Sequence, residues 1–326
     1  APLRHWHRCS EAACFGKWGA NTALDLSMIL STPELGGLVG SFSVTHIGLS
    51  AVREGLINDL GAGAGRLGAV GRGLTLPKIW LADTSGLEVW PDEATAGRQL
   101  YRAGYTLISS VLLFPALGAY PEVRSAALAS SAGFSEALSP GAWWACFAVA
   151  TAAQGISIAS LLNPSPLSLV PSFEADSNAA LGVKRDDRLK LRPYGLTRIT
   201  RHPLILPVVP WGVANALLAG ARAPDLVIFL GLAAYAVAGC KAQDLRVEAS
   251  NQVGTVFADG ALTEFYRDTS FVPYGAVVDG RQRLADVSRE VSWTALAAGV
   301  ALGGVVEWAT LEWWVGVHVP VPFLTS

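Results

Sequence analysis

Histidine is scarce in this chain, and one of its five copies sits where a histidine is costly. His46 falls in Ser43-Val-Thr-His46-Ile-Gly-Leu-Ser50, inside an apolar stretch. An ionisable side chain at membrane depth is a functional candidate by default. A neutral imidazole there can ligate a haem iron, a chlorophyll magnesium or another metal. The alternative is a histidine hydrogen-bonded to a neighbouring helix. His202 lies in Arg198-Ile-Thr-Arg201-His202-Pro203, where Pro203 suits a first helical turn because its missing N–H is unneeded there. The two arginines could meet phosphate or carboxylate, or anchor the chain at lipid headgroups. Glu307 is a carboxyl deep in the last apolar stretch and needs a partner there, an arginine, a pigment or a neighbouring protein; the alternative is a protonated glutamic acid hydrogen-bonded to a nearby helix. Asn215 lies thirteen residues past His202, and Gln154 sits in a third apolar stretch. Cys9 and Cys14, with His5 and His7 upstream, are read as a disulfide or free thiols in a terminal arm, since the spacing suits zinc poorly.

The elements that must hold these residues follow from composition. Of 326 residues, 51% are hydrophobic and 15% charged, against about 25% charged in a soluble domain. Mean hydropathy is +0.38. A disordered chain, a coiled coil and a disulfide scaffold are excluded, and a net charge of −2 leaves no basic footprint for nucleic acid. The chain opens at Ala1 and holds one methionine, Met28, as a trimmed form without its targeting segment would. The expected fold is all-α: a polytopic membrane helix bundle with about six transmembrane helices, near 34–52, 103–120, 141–162, 203–221, 224–240 and 292–314. Residues 1–33 form an N-terminal arm, 34–314 the bundle, and 315–326 a tail.

Charge gives that bundle a direction. Three long loops, 53–102, 163–202 and 241–291, carry six, seven and six Lys plus Arg, while Arg124 and Arg222 stand alone in the intervening ones. The asymmetry follows the positive-inside pattern and puts the long loops on the cytoplasmic or stromal side. The Gly-Ala-Gly-Ala-Gly run at 61–65 lacks a following Gly-Lys-Ser/Thr and reads as a linker, not a phosphate loop. Gly36-x-x-x-Gly40 and Gly299-x-x-x-Gly303 permit close helix packing, and Trp308, Trp313 and Trp314 would form an interfacial belt.

Three stretches carry a family resemblance. Pro193-Tyr-Gly-Leu-Thr-Arg-Ile-Thr-Arg-His-Pro203 resembles the signature of the NnrU family, whose plant and algal branch is 15-cis-zeta-carotene isomerase. Thr45-His46-Ile-Gly-Leu-Ser-Ala-Val-Arg53 is similar to that family's His-Ser-Gly-Leu-x-x-x-Arg helix end. Phe265-Tyr-Arg-Asp-Thr-Ser-Phe-Val-Pro273, followed by Gly280-Arg281-Gln282, resembles its loop after the fifth span. The resemblance implies a haem b between helices and a cis-to-trans isomerisation of a carotenoid, with His46 at the haem-ligating position. It places the second ligand pair, Cys and His, at Gly212 and Asn215 here, and neither supplies a usual haem ligand. His202 and Cys240 are the remaining substitutes.

Two functions follow. The first is a non-catalytic, pigment- or lipid-binding accessory subunit of a photosynthetic complex in the thylakoid membrane of a plastid. Chlorophyll or carotenoid would be its cofactor, with His46, His202, Asn215 and Glu307 as cofactor-binding candidates. The second is an active haem-dependent carotenoid isomerase. Arg201-His202-Pro203 with Glu248 also fits an isoprenylcysteine-type membrane methyltransferase, a weaker third reading.

Overall fold

Lipid offers no partner to a backbone N–H or C=O, so apolar stretches of this length must pair those groups internally, as helices. The computed structural model describes residues 31–61, 93–129, 138–162, 164–168, 190–250 and 261–320, residues 177–178, and two short strand pairs. The N-terminal arm with His5, His7, Cys9 and Cys14 lies outside the described residues, as do 62–92 and the last six residues. Among the described residues the helices are α1 (Thr32–Ala51), α2 (Arg53–Gly61), α3 (Glu93–Ala129), α4 (Pro140–Ser160) and α5 (Val208–Leu218). Then comes α6, which starts at Ala223–Asp225, passes through a π-helical turn at Leu226–Leu230 and continues over Gly231–Ser250. Four more follow: α7 (Ala261–Asp268), α8 (Gly275–Val278), α9 (Leu284–Glu290) and α10 (Trp293–Ala309), which runs into a π-helical end at Thr310–Val315. Two antiparallel ladders, β1 (Phe173–Ala175) with β2 (Val183–Arg185) and β3 (Gln252–Val253) with β4 (Val256–Phe257), decorate the loops.

Among the described residues, four helices are long and apolar enough to cross a membrane: Leu100–Ala129, Pro140–Ser160, Ala223–Ala249 and Trp293–Val315. The expected count of about six is not confirmed, and two of the expected spans account for the difference. α1 has twenty residues, but Ser41, Ser43, Thr45, His46 and its glycines dilute its apolarity. α5 is apolar but has eleven residues, and at 1.5 Å per residue it spans about 16 Å of a hydrocarbon core about 30 Å thick.

The expected loop at 53–102 is also shorter than read, since α2 and the first turns of α3 occupy both its ends. α3 continues past Pro121, where the sequence reading ends it. A proline strips the N–H that would bond the carbonyl four residues back. Here that carbonyl is Leu117 O, and the Trp314 indole N–H donates to it at 2.8 Å. Trp314 therefore turns inward against Tyr120 and Phe229. Trp308 and Trp313 stay exposed, with ring centroids 5.4 Å apart.

The two small-residue motifs behave differently. A Cβ on Gly299 would lie 2.7 Å from Gly155 O, and one on Gly303 would lie 2.9 Å from Thr151 O. The backbones of α4 and α10 thus touch, as only glycine allows. A Cβ on Gly36 would meet only Val227, at 3.9 Å, and one on Gly40 would meet nothing within 4 Å.

Each end of the bundle is tied by buried charge. Arg124, read as a loop residue, is buried, with Nε 3.1 Å from Asp225 Oδ1. Its Nη1 and Nη2 donate to Val315 O and Ala219 O at 2.7 and 2.9 Å. Tyr120 and the Arg222 N–H complete the Asp225 carboxylate. One cation so joins α3, α6 and the ends of α5 and α10. At the other end, the stretch 193–203 packs on the stretch 265–290. Arg198 forks onto Glu290 at 2.7 and 2.6 Å. Gly195 adopts a left-handed φ of 53° and aims its N–H at the same carboxylate, at 2.7 Å. Partial burial raises the Glu290 pKa, but the Arg198 and Gly195 hydrogen bonds outweigh it and hold the carboxyl below its ordinary value. Thr200 donates to Phe271 O, and Arg201 N–H to Ser270 O.

Candidate functional site

Helices α1, α3, α5 and α6 surround a cavity of about 610 Å³, within the roughly 300–1,000 Å³ typical of small-molecule sites. His46 lines it. The imidazole Nδ1 sits 2.8 Å from Ser109 Oγ on α3. With Nδ1–H donating to the serine, the lone pair is on Nε2, which makes no hydrogen bond among the described residues. This is the tautomer a metal-ligating histidine needs, oriented by a partner on its other nitrogen. Three rings cage the imidazole: Tyr105 at 4.3 Å, Phe42 at 5.2 Å and Tyr235 at 5.3 Å between centroids. Tyr101 stacks on Tyr105 and donates its hydroxyl to Leu49 O at 3.0 Å, fixing α3 against α1.

The cage has a sequence signature. Tyr101, Tyr105 and Ser109 stand at i, i+4 and i+8 of α3, a polar-tipped stripe on one face of an otherwise apolar helix. On α6, Tyr235, Gly239 and Gln243 repeat the spacing. Neither stripe contains a histidine or a carboxylate, so neither stands out residue by residue in the sequence.

His202 stands behind the cavity wall. Its Nε2 meets Asp244 Oδ1 at 2.7 Å, and its ring lies edge-on to Phe271. Asp244 also accepts the Tyr266 hydroxyl at 3.1 Å and lies 3.4 Å from Arg201 Nη1. Burial, then the Asp244 charge, push the Tyr266 hydroxyl above its ordinary range and keep it a donor. Leu204 and Ile205, just after His202, line the cavity, as do Cys240 and Gln243 beside Asp244. The histidine expected to flank the pocket thus braces two walls from outside.

Asn215 and Glu307 form a second centre, fully buried where α4, α5 and α10 meet. Glu307 Oε2 accepts from Gln154 Nε2 at 2.5 Å and from the Trp211 indole at 3.0 Å. Asn215 faces the same carboxyl, and its Nδ2 donates to Trp211 O at 3.1 Å. Trp211 alone belongs to both centres, since it also lines the cavity. Gly212 is a packing position: a Cβ there would stand 2.5 Å from Phe229 O. Neither Gly212 nor Asn215 lines the cavity. Cys240 does; it is free, buried, and on the α6 wall.

What can such a site do? Among the described residues, no three His, Cys, Asp or Glu side chains gather as a metal cluster. A metal at His46 would need its other ligands from elsewhere, and a tetrapyrrole brings them in its ring nitrogens. The apolar, aromatic walls suit a planar or polyene body. A tetrapyrrole in this cavity would be held by His46, with no second ligand at the positions the resemblance names, since neither Gly212 nor Asn215 is among the lining residues.

Residues 90–319 match the family model described as NnrU protein. The chain belongs to the NnrU family. The match covers well over half of the chain and includes both interlocked stretches, 193–203 and 265–290. It begins after α1, so His46 lies outside the matched span while Ser109, Trp211 and Cys240 lie within it. No curated protein and no solved structure matches the chain.

Proposed function

We propose that this NnrU-family chain binds a pigment in the His46 cavity and serves as a non-catalytic accessory subunit of a photosynthetic membrane complex. One observation carries the reading. His46 lines a cavity of suitable size and its Nε2 makes no hydrogen bond among the described residues, whereas the second-ligand positions are closed: Gly212 against a backbone carbonyl, Asn215 inside the Glu307 centre. A haem or chlorophyll held there would supply light absorption or electron transfer. This chain's residues would ligate it once, through His46, orient that histidine through Ser109, and exclude water with Phe42, Tyr105 and Tyr235. A carotenoid or lipid would use the same walls without the histidine bond. The thylakoid setting and stromal long loops rest on the resemblance to the plant and algal branch and on the loop charge asymmetry. Native-gel separation of mildly solubilised thylakoid membranes tests the reading. Co-migration with a chlorophyll-containing complex is expected; a band migrating alone, away from any photosystem, overturns it.

One observation favours the isomerase. Cys240 lines the same cavity as His46, so the cavity wall offers a thiol as the replacement second ligand this reading needs. Expression in a host that accumulates 15-cis-zeta-carotene separates the two. Isomerised product that is lost in Cys240→Ala and His46→Ala selects the isomerase; no product and no haem absorbance remove it.

A further inference from the structure

Four helices wall the His46 cavity, and three of the four seams between them are tight. Between α1 and α3, the Tyr101 hydroxyl donates to Leu49 O and Ser109 meets His46. Between α1 and α6, the Phe42 and Tyr235 ring centroids are 4.9 Å apart, and a Cβ on Gly231 would lie 2.9 Å from Val39 Cγ1. Between α5 and α6, Trp211 meets Phe229 edge-on, and Gly212 leaves no room for a side chain. The fourth seam is different, because α3 and α5 do not pack along each other. They are joined at one end, where Arg124 donates to Ala219 O at 2.9 Å. Thr106 lies eighteen residues before Arg124, about 27 Å away along α3. Near the His46 level the polar side chains of both helices turn elsewhere, Ser109 to His46 and Trp211 to Glu307. Thr106 on α3 and Ile205, on the bend that leads into α5, both line the cavity and are both exposed. The backbone N–H groups of Ile205, Leu206, Val208 and Val209 are all taken up by turn bonds. The bend can therefore stand against hydrocarbon. So can the outer faces of the two helices, where Leu107, Val111 and Phe114 on α3 and Val213 and Leu217 on α5 are exposed.

We propose that the gap between α3 and the start of α5 is a lateral portal through which the cavity takes its ligand from the bilayer, with Thr106 and Ile205 on its two sides. The proposal rests on reading the cavity as a ligand site and names the ligand's source and class: an apolar molecule dissolved in hydrocarbon, of a size to occupy about 610 Å³. Such a molecule reaches the His46 level between two apolar helix faces and stays out of water throughout. The Arg124 tie holds α3 and α5 together at the far end while leaving them apart beside the histidine.

A portal residue sets how fast a ligand passes, in and out alike, without setting how much is bound. The test uses the full-length protein in phosphatidylcholine vesicles that also contain zinc protoporphyrin dimethyl ester, an apolar probe whose absorption reports ligation by histidine. A temperature jump displaces the binding equilibrium, and the absorption then relaxes at the sum of the entry and exit rates. Thr106→Trp and Ile205→Trp, which narrow the gap from either side, are each expected to relax at least about fivefold more slowly than the wild type, with the bound fraction within about twofold. Val213→Trp, an equally bulky change on the exposed face of α5 away from the cavity lining, is expected to relax at the wild-type rate. A wild-type rate in either portal variant, equal slowing in Val213→Trp, or a change carried by the bound fraction instead of the rate overturns the portal and leaves the cavity reading standing. No ligated spectrum in the wild type overturns both.

Discussion

The bundle has two buried polar centres, and they are built in opposite ways. Glu307 is closed in: glycine backbones bring α4 and α10 into contact, and Gln154, Trp211 and Asn215 surround the carboxyl. His46 is left open: its α1 glycines touch little, its Nδ1 lies 2.8 Å from Ser109 Oγ, and the residue lines a cavity. Glu307 Oε2 collects both donors while Glu307 Oε1 and Asn215 Oδ1 stay without a partner among the described residues, so what closes the Glu307 centre is packing. A group enclosed in that way serves folding, whereas one beside a cavity has room for a partner. Helix spacing sets the difference. Where backbones meet there is no room for a ligand, and where they stand apart aromatic rings wall the gap.

The sharpest way to break this contrast is at the glycines. Gly299→Leu should destabilise the detergent-solubilised protein by about 3 kcal/mol or more, because the side chain must displace backbone. Gly40→Leu should stay within about 0.5 kcal/mol. Thermal unfolding of the pair checks this, and similar losses would erase the distinction between tight seam and loose cavity. At the centres themselves, Glu307→Ala strands the Gln154 and Trp211 donors and should cost about 2–3 kcal/mol. Glu307→Gln, which keeps a carbonyl oxygen for them, should cost less than about 1 kcal/mol. His46→Ala loses one hydrogen bond, about 1 kcal/mol, and should change the melting temperature little. The smallest effect is expected outside both centres. Glu290 has its pKa lowered in the folded state, so its contribution is present above the unfolded carboxylate value near pH 4.5 and lost as pH falls through the folded value. Melting temperature should therefore fall on acidification below about pH 4.5, and Glu290→Gln should flatten that limb.

Much of this architecture is written in the sequence. Apolar length marks α3, α4, α6 and α10 but not α1 or α5, and the Gly299-x-x-x-Gly303 spacing marks the α4–α10 seam. The same spacing at Gly36 and Gly40 leads nowhere, because a small-residue pair reports only permission to approach. Pro121 misleads for a related reason: the indole that repairs the broken helix comes from Trp314, almost two hundred residues away. Arg124 looks like a loop charge because its partner, Asp225, lies 101 residues away. His46 stands out by depth alone, but its cage does not, since Tyr105, Ser109 and Tyr235 are ordinary residues until three helices bring them together. His202 shows the converse: a conspicuous motif histidine whose contact with Asp244 makes it a brace.

Axial ligation gives the most direct test of the open centre. Zinc protoporphyrin dimethyl ester carries no anionic head, so its absorption on titration into the full-length protein reports histidine coordination alone. The wild type and Glu307→Gln should both show the red-shifted band of a five-coordinate zinc, and His46→Ala should show the unligated spectrum. An unchanged red shift in His46→Ala, or its absence in the wild type, would contradict the assignment of His46 as the ligand-binding group.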